Sequence, residues 1–310
     1  MPFPALFVWG AAAGLAALGV KKGVDAYSDF DAAKSIGEAA ERRYTSAENK
    51  LEKDRESTQK ALMALGELKA ATFSNQIKHL VDMQKKFKSK LENFDNKIFI
   101  EDLPTVELQV EQSREALGGV ASGIASGTLL AFGTYGAVGA LATASTGTAI
   151  GALSGVAATN ATLAWLGGGS LAAGGFGMAG GMVALGGIAL APLLAIGGFV
   201  AAGKAEKAKT NAEKYAADVD VAVAKMDEVK LLLKGIRTVA AEQASVIEET
   251  VRRFDEVKVY DMSDPESFNR MFVIGKALKK ILDVPVINAD GTANENLRIE
   301  CEGLLRLGSA

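Results

Sequence analysis

Between Ala116 and Gly203 the chain carries no Asp, Glu, Lys, Arg or His. A helix in water needs a polar face along its length, and this run offers only scattered Ser, Thr and Asn. Two arrangements remain: the run is sheltered inside protein, or it enters lipid. A spanning helix takes about 20 apolar residues, so there is room for two to four spans. Its hydrophobicity is marginal, because Gly and Ala together outnumber Leu, Ile, Val, Phe, Met and Trp, and small residues contribute little to insertion. A protein with both a sheltered and an inserted state requires that kind of composition.

The rest of the chain is organised around this run. Residues 3–20 form a short apolar stretch followed at once by Lys21 and Lys22. A secretory signal has its positive charges before the apolar core, so 1–22 reads as a helix that docks on protein or dips into a bilayer. If it inserts, the positive-inside rule keeps Lys21 and Lys22 cytoplasmic, and Lys204, Lys207 and Lys209 after the run point the same way. Residues 23–115 read as a helical arm, free of proline from 29 to 95. Tyr44, Ala47, Leu51, Thr58, Leu62, Leu65, Phe73, Ile77, Leu80, Phe87, Leu91 and Phe94 give it a coiled-coil-like stripe. Ile98-Phe99-Ile100 and Leu103-Pro104 end that stripe. A second arm occupies 204–260, with Ala222, Met226, Val229, Leu233, Ile236, Ala240 and Ile247 as its apolar face. The simplest arrangement packs the arms antiparallel, with the run as a hairpin at one end. The remaining 261–310 read as a small helical tail. Ser263-Asp264-Pro265-Glu266 and Thr292-Ala293-Asn294-Glu295 each form a capping box, opening helices to about Leu282 and over 293–306, with a turn at Asp290-Gly291. The fold class is therefore all-α: long coiled-coil-like arms flanking a Gly/Ala-rich apolar helical hairpin region over 116–203.

Inside the run, Gly119, Gly123 and Gly127 recur every four residues, as do Gly147, Gly151 and Gly155. Residues four apart share a helix face, and small residues on one face let helix backbones approach closely. These six glycines are the candidate helix-packing positions, within a membrane, an oligomer or a buried bundle. Gly167, Gly168 and Gly169 are the strongest flexible point, and Pro192, lacking an N–H, kinks or starts a helix. Candidate helices fall near 116–142, 148–166, 170–190 and 192–203.

Motifs for catalysis are missing. Gly175-Phe176-Gly177-Met178-Ala179-Gly180 matches GxGxxG, but a dinucleotide loop needs a preceding strand and an acid about 20 residues on. The first charge after Gly180 is Lys204. There is no Walker lysine motif, GxSxG or HExxH. One Cys (Cys301) and one His (His79) exclude an internal disulfide and a Cys/His zinc cluster. A net charge of −3 gives no argument for nucleic acid. No enzyme activity, cofactor or metal is expected.

The layout over roughly 29–257 resembles helical pore-forming proteins of the cytolysin A type, in architecture and not in motif, so no functional residue carries over. The stretch 157–170, AATNATLAWLGGGS, resembles a signature of uncharacterised bacterial glycine-rich helical membrane-associated proteins. That resemblance implies a bacterial inner-membrane or membrane-associated cytoplasmic setting and supplies no activity. The expected partners are a lipid membrane and further copies of the chain. A soluble interaction scaffold, with the run as a buried core, stays open as the competing reading.

Overall fold

The computed structural model describes residues 20–87, 99–120, 129–130, 132–134, 205–288 and 292–307. These are all-α, with no strand among them and one isolated bridge between Ile287 and Ala293. Helix α1 spans Val20–Thr72, passes through a π-helical turn at Phe73–Ile77, and continues in line as α2, Lys78–Phe87. Helix α3 spans Leu103–Val120, α4 Ala205–Glu256, α5 Pro265–Asp283 and α6 Leu297–Leu307. Residues 129, 130 and 132–134 are also helical.

The apolar stripes explain the long helices. Ala47, Leu51, Thr58, Leu62, Leu65, Phe73, Ile77 and Leu80 are buried on α1 and α2, as are Ala222, Met226, Leu233, Ile236, Ala240 and Ile247 on α4. The π turn inserts one residue into the helical phase and keeps both Phe73 and Ile77 buried. Two boundaries differ from expectation. The N-cap of α5 is Asp264, not Ser263: its carboxylate accepts from the N–H groups of Glu266 and Ser267, while Ser263 turns to the Asp261 carboxylate. Helix α6 starts at Leu297, because Ala293 is held in the bridge to Ile287 and the Asn294 carbonyl accepts from the Leu297 N–H. The Asp290-Gly291 turn lies outside the described residues.

The chain divides into two compact units, with boundaries inside α1 at Lys53/Asp54 and inside α4 at Lys230/Leu231. In the first unit α1 and α4 lie side by side. Asp29 pairs with Lys209 at 3.9 Å and Arg43 with Asp220 at 3.0 Å, so both helices advance in the same direction. Their facing surfaces are mostly small: Ala33 packs with Ala212, supported by Ile36.

In the second unit the same two helices are again parallel. Arg237 of α4 grips Asp54 and Thr58 of α1 (Nη2 to Asp54 Oδ1 2.7 Å, Nη1 to Thr58 Oγ1 2.8 Å), and further along Gln76 bonds Asp255. The expected antiparallel pairing of the arms is therefore corrected. An antiparallel pair needs only a short link, whereas here the link contains α3, which itself makes a return journey. Lys85 meets Glu107 at 2.6 Å, and further along α3 Ala116 packs beside Ala70 and Leu129. Helix α5 is likewise antiparallel to α2: Phe268 packs on Phe87, Gly275 on Leu80, and Val284 reaches Lys69. The core of this unit joins α1, α2, α3, α4, α5, α6 and the 129–134 segment.

Candidate functional site

Residues 129, 130 and 132–134 of the uncharged run are described, and they sit in the core of the second unit. Leu129 is 1% exposed and Phe132 0%, with Leu130 and Thr134 also buried. The place is prepared by one residue of α1, Gly66. A Cβ built on Gly66 would fall 1.9 Å from the Leu129 carbonyl oxygen, and one on Gly133 would fall 1.9 Å from the Leu62 carbonyl oxygen. The contact is reciprocal: each glycine lies against the carbonyl four residues before the other. At such a crossing a glycine Cα–H faces a carbonyl oxygen, a weak but recurring helix–helix interaction. Phe132 packs edge-on to Phe73 of the π turn, centroids 6.3 Å apart. The Thr134 carbonyl accepts from the Val286 N–H at 2.8 Å, and its hydroxyl donates back to the Leu130 carbonyl at 2.7 Å.

Beside this dock lies a buried polar cluster at the C-terminal end of α5. Lys69 is fully buried, and its ammonium lies 3.4 Å from the Val284 carbonyl. Gln243 of α4 donates from Nε2 to the Ile281 and Val284 carbonyls, both at 2.9 Å. Both side chains thus cap the negative end of a helix. Burial pushes the Lys69 amine down to about 7, against the opposing attraction of Asp283 and Cys301. Burial likewise holds the Asp283 carboxyl above its ordinary range, although Lys279 pairs with it at 2.5 Å. Asp283 Oδ1 and Gln243 Oε1 are buried without a hydrogen-bond partner among the described residues. Cys301 is buried in α6, and burial pushes its thiol up to about 11, which makes it a packing residue and a poor nucleophile. His79 donates from Nε2–H to the Val259 carbonyl at 2.7 Å and lies edge-on to Tyr260 and Phe254. Burial lowers its pKa.

Of the glycines that sequence spacing singled out, Gly119 lies in the last turn of α3. Gly123, Gly127, Gly147, Gly151 and Gly155 lie outside the described residues, as do Gly167, Gly168, Gly169 and Pro192. The glycines seen at a backbone-to-backbone crossing are instead Gly66 and Gly133. Gly66 had a legible signal, since a glycine inside a helix of 53 residues costs about 1 kcal/mol relative to alanine and calls for a packing reason. Lys69 also had one: it stands four residues after Leu65 and four before Phe73, on the buried stripe.

Several surface lysines are paired. Lys276 meets Glu101 at 2.7 Å, Lys85 meets Glu107, and Lys86 donates to the Tyr260 carbonyl. Among the described residues no group of His, Cys, Asp and Glu is placed to hold a metal ion, and no helix is long and apolar enough to cross a membrane. No protein-family model, curated protein or solved structure matches the chain.

Proposed function

We propose that the protein works without covalent chemistry, as a helical membrane-associating assembly whose uncharged run enters lipid to form a pore or remodel the bilayer. The observation that carries this reading is the segregation of charge: no Asp, Glu, Lys, Arg or His occurs from Ala116 to Gly203, while charged helices stand on both sides. The dock refines where the lipid-entering part begins. Residues 116–120 continue α3, and Leu129, Leu130, Phe132 and Thr134 are buried, which supports a lipid-entering part that starts after Thr134. Homo-oligomerisation and an inner-membrane or membrane-associated cytoplasmic setting belong to the same proposal.

The test is flotation with liposomes of the full chain against a variant in which 135–203 is replaced by a Gly/Ser linker of equal length. The linker keeps the dock and both long helices. Flotation of the full chain and sedimentation of the variant supports the reading; both chains staying at the bottom of the gradient refutes it. The burial of Leu129, Leu130 and Phe132 in protein favours one second reading, a soluble interaction scaffold that shelters the run permanently. A monodisperse particle purified without detergent, indifferent to liposomes, identifies that case.

A further inference from the structure

A segment locked into protein is unavailable to a bilayer, yet Leu129 to Thr134 belong to the same uncharged run. The geometry points to an autoinhibitory latch: the Gly66–Gly133 crossing, the Phe132–Phe73 contact and the Thr134–Val286 bond hold residues 129, 130 and 132–134 of the run on the second unit, and their release extends the lipid-entering part back through residue 129. This inference rests on the membrane reading above and adds its regulation.

Three properties of the segment suit a releasable contact. Its described side chains, Leu129, Leu130, Phe132 and Thr134, are all uncharged, so moving from a protein core to hydrocarbon exchanges one apolar environment for another. The Thr134 hydroxyl takes its hydrogen-bond partner with it, because Leu130 lies within the same segment; a polar group satisfied in this way is tolerated in lipid. One backbone hydrogen bond is described between the segment and the rest of the unit, that from the Val286 N–H to the Thr134 carbonyl. The remaining hold is apolar packing: Phe132 on Phe73, and the close crossing at Gly66 and Gly133, where there is no room for a methyl group. Packing of that kind is cooperative and is opened by a small wedge. Val286 also connects the latch to its surroundings. Its carbonyl accepts from the Asn294 N–H, and two residues before it the Val284 carbonyl is held by Lys69 and Gln243.

The experiment compares wild type with Gly133→Ala, and uses Gly118→Ala as the control, since a Cβ at Gly118 meets nothing within 4 Å. Two readouts are taken on the full chain. Hydrogen exchange of the Val286 amide without lipid reports the latch directly. Co-flotation with phosphatidylcholine–phosphatidylglycerol vesicles reports release of the run. Gly133→Ala is expected to exchange the Val286 amide about a hundredfold faster and to reach half-maximal binding at correspondingly less lipid, with Gly118→Ala matching wild type. Unchanged Val286 exchange overturns the latch. Faster exchange with wild type and Gly133→Ala binding vesicles equally well also overturns it, and leaves the membrane reading standing. Failure of both chains to float removes both proposals. If Gly133→Ala loses its far-UV helical signal, Phe132→Leu weakens the contact with Phe73 without entering the backbone crossing and is judged by the same two readouts.

Discussion

Replacing Lys69 with Met should stabilise this protein, and the gain should depend on pH in a definite direction. The side chain is fully buried, and its amine is pushed from an ordinary 10.5 down to about 7, chiefly by burial. In the unfolded chain the same amine stays protonated until pH approaches 10.5. The folded state therefore binds fewer protons between pH 7 and 10.5, and stability falls as pH drops through that window. The full difference of roughly 3.5 pH units corresponds to about 5 kcal/mol, and between pH 7 and pH 9 the change is about 2 kcal/mol. Met has nearly the volume of the lysine stem and carries no charge. The Val284 carbonyl is not orphaned by the change, because Gln243 still donates to it at 2.9 Å. Asp283 keeps Lys279. Lys69→Met should thus gain about 2–4 kcal/mol at pH 7, with the advantage shrinking by about 2 kcal/mol at pH 9. Urea unfolding followed by far-UV circular dichroism measures this; Trp9 and Trp165 both lie outside the described residues, so tryptophan fluorescence is the poorer probe. A less stable Lys69→Met at pH 7, or an advantage independent of pH, refutes the reasoning. Either result means the ammonium is satisfied where it sits.

Other substitutions separate the contacts. Gly66→Ala places a methyl 1.9 Å from a backbone oxygen, whereas Gly275→Ala places one 2.1 Å from the Leu80 Cδ1, the end of a flexible side chain; the first should cost about 3 kcal/mol or more and the second about 1 kcal/mol, read from urea midpoints. Phe132→Ala should cost about 3–5 kcal/mol, because the ring is fully buried; calorimetry showing less than about 1 kcal/mol would mean the segment is not docked in solution. A double-mutant cycle between Asp54 and Arg237, which pair at 2.7 Å with side chains about a quarter exposed, should return a coupling of about 1–2 kcal/mol, well above that of the exposed Arg43–Asp220 pair.

Periodicity alone made the two long helices legible, and with them the buried faces from Ala47 to Leu80 and from Ala222 to Ile247. It did so because a 3.6-residue period is a local property, written in neighbouring residues. The capping logic that opens α5 was legible for the same reason, to within one residue. The direction in which the arms pair was not. A stripe on each helix is satisfied by a parallel or an antiparallel partner, and only the return path of α3 and of 129–134 along α1 decides between them.

The charge-free run was set by the sequence by itself, as were the all-helical class and the lack of any catalytic motif, since composition and spacing need no partner to be read. What tertiary structure decided was which small residue meets which. Gly66 stands in a charged helix, and Gly133 belongs to neither glycine triplet of the run. Their crossing exists because the chain doubles back to bring two carbonyls within reach of two missing side chains. The same return path encloses Lys69, whose charge marks it for the surface and whose position on the stripe buries it. Helix phase outweighed polarity there, because moving one side chain outward would have turned the whole buried face of α1 with it.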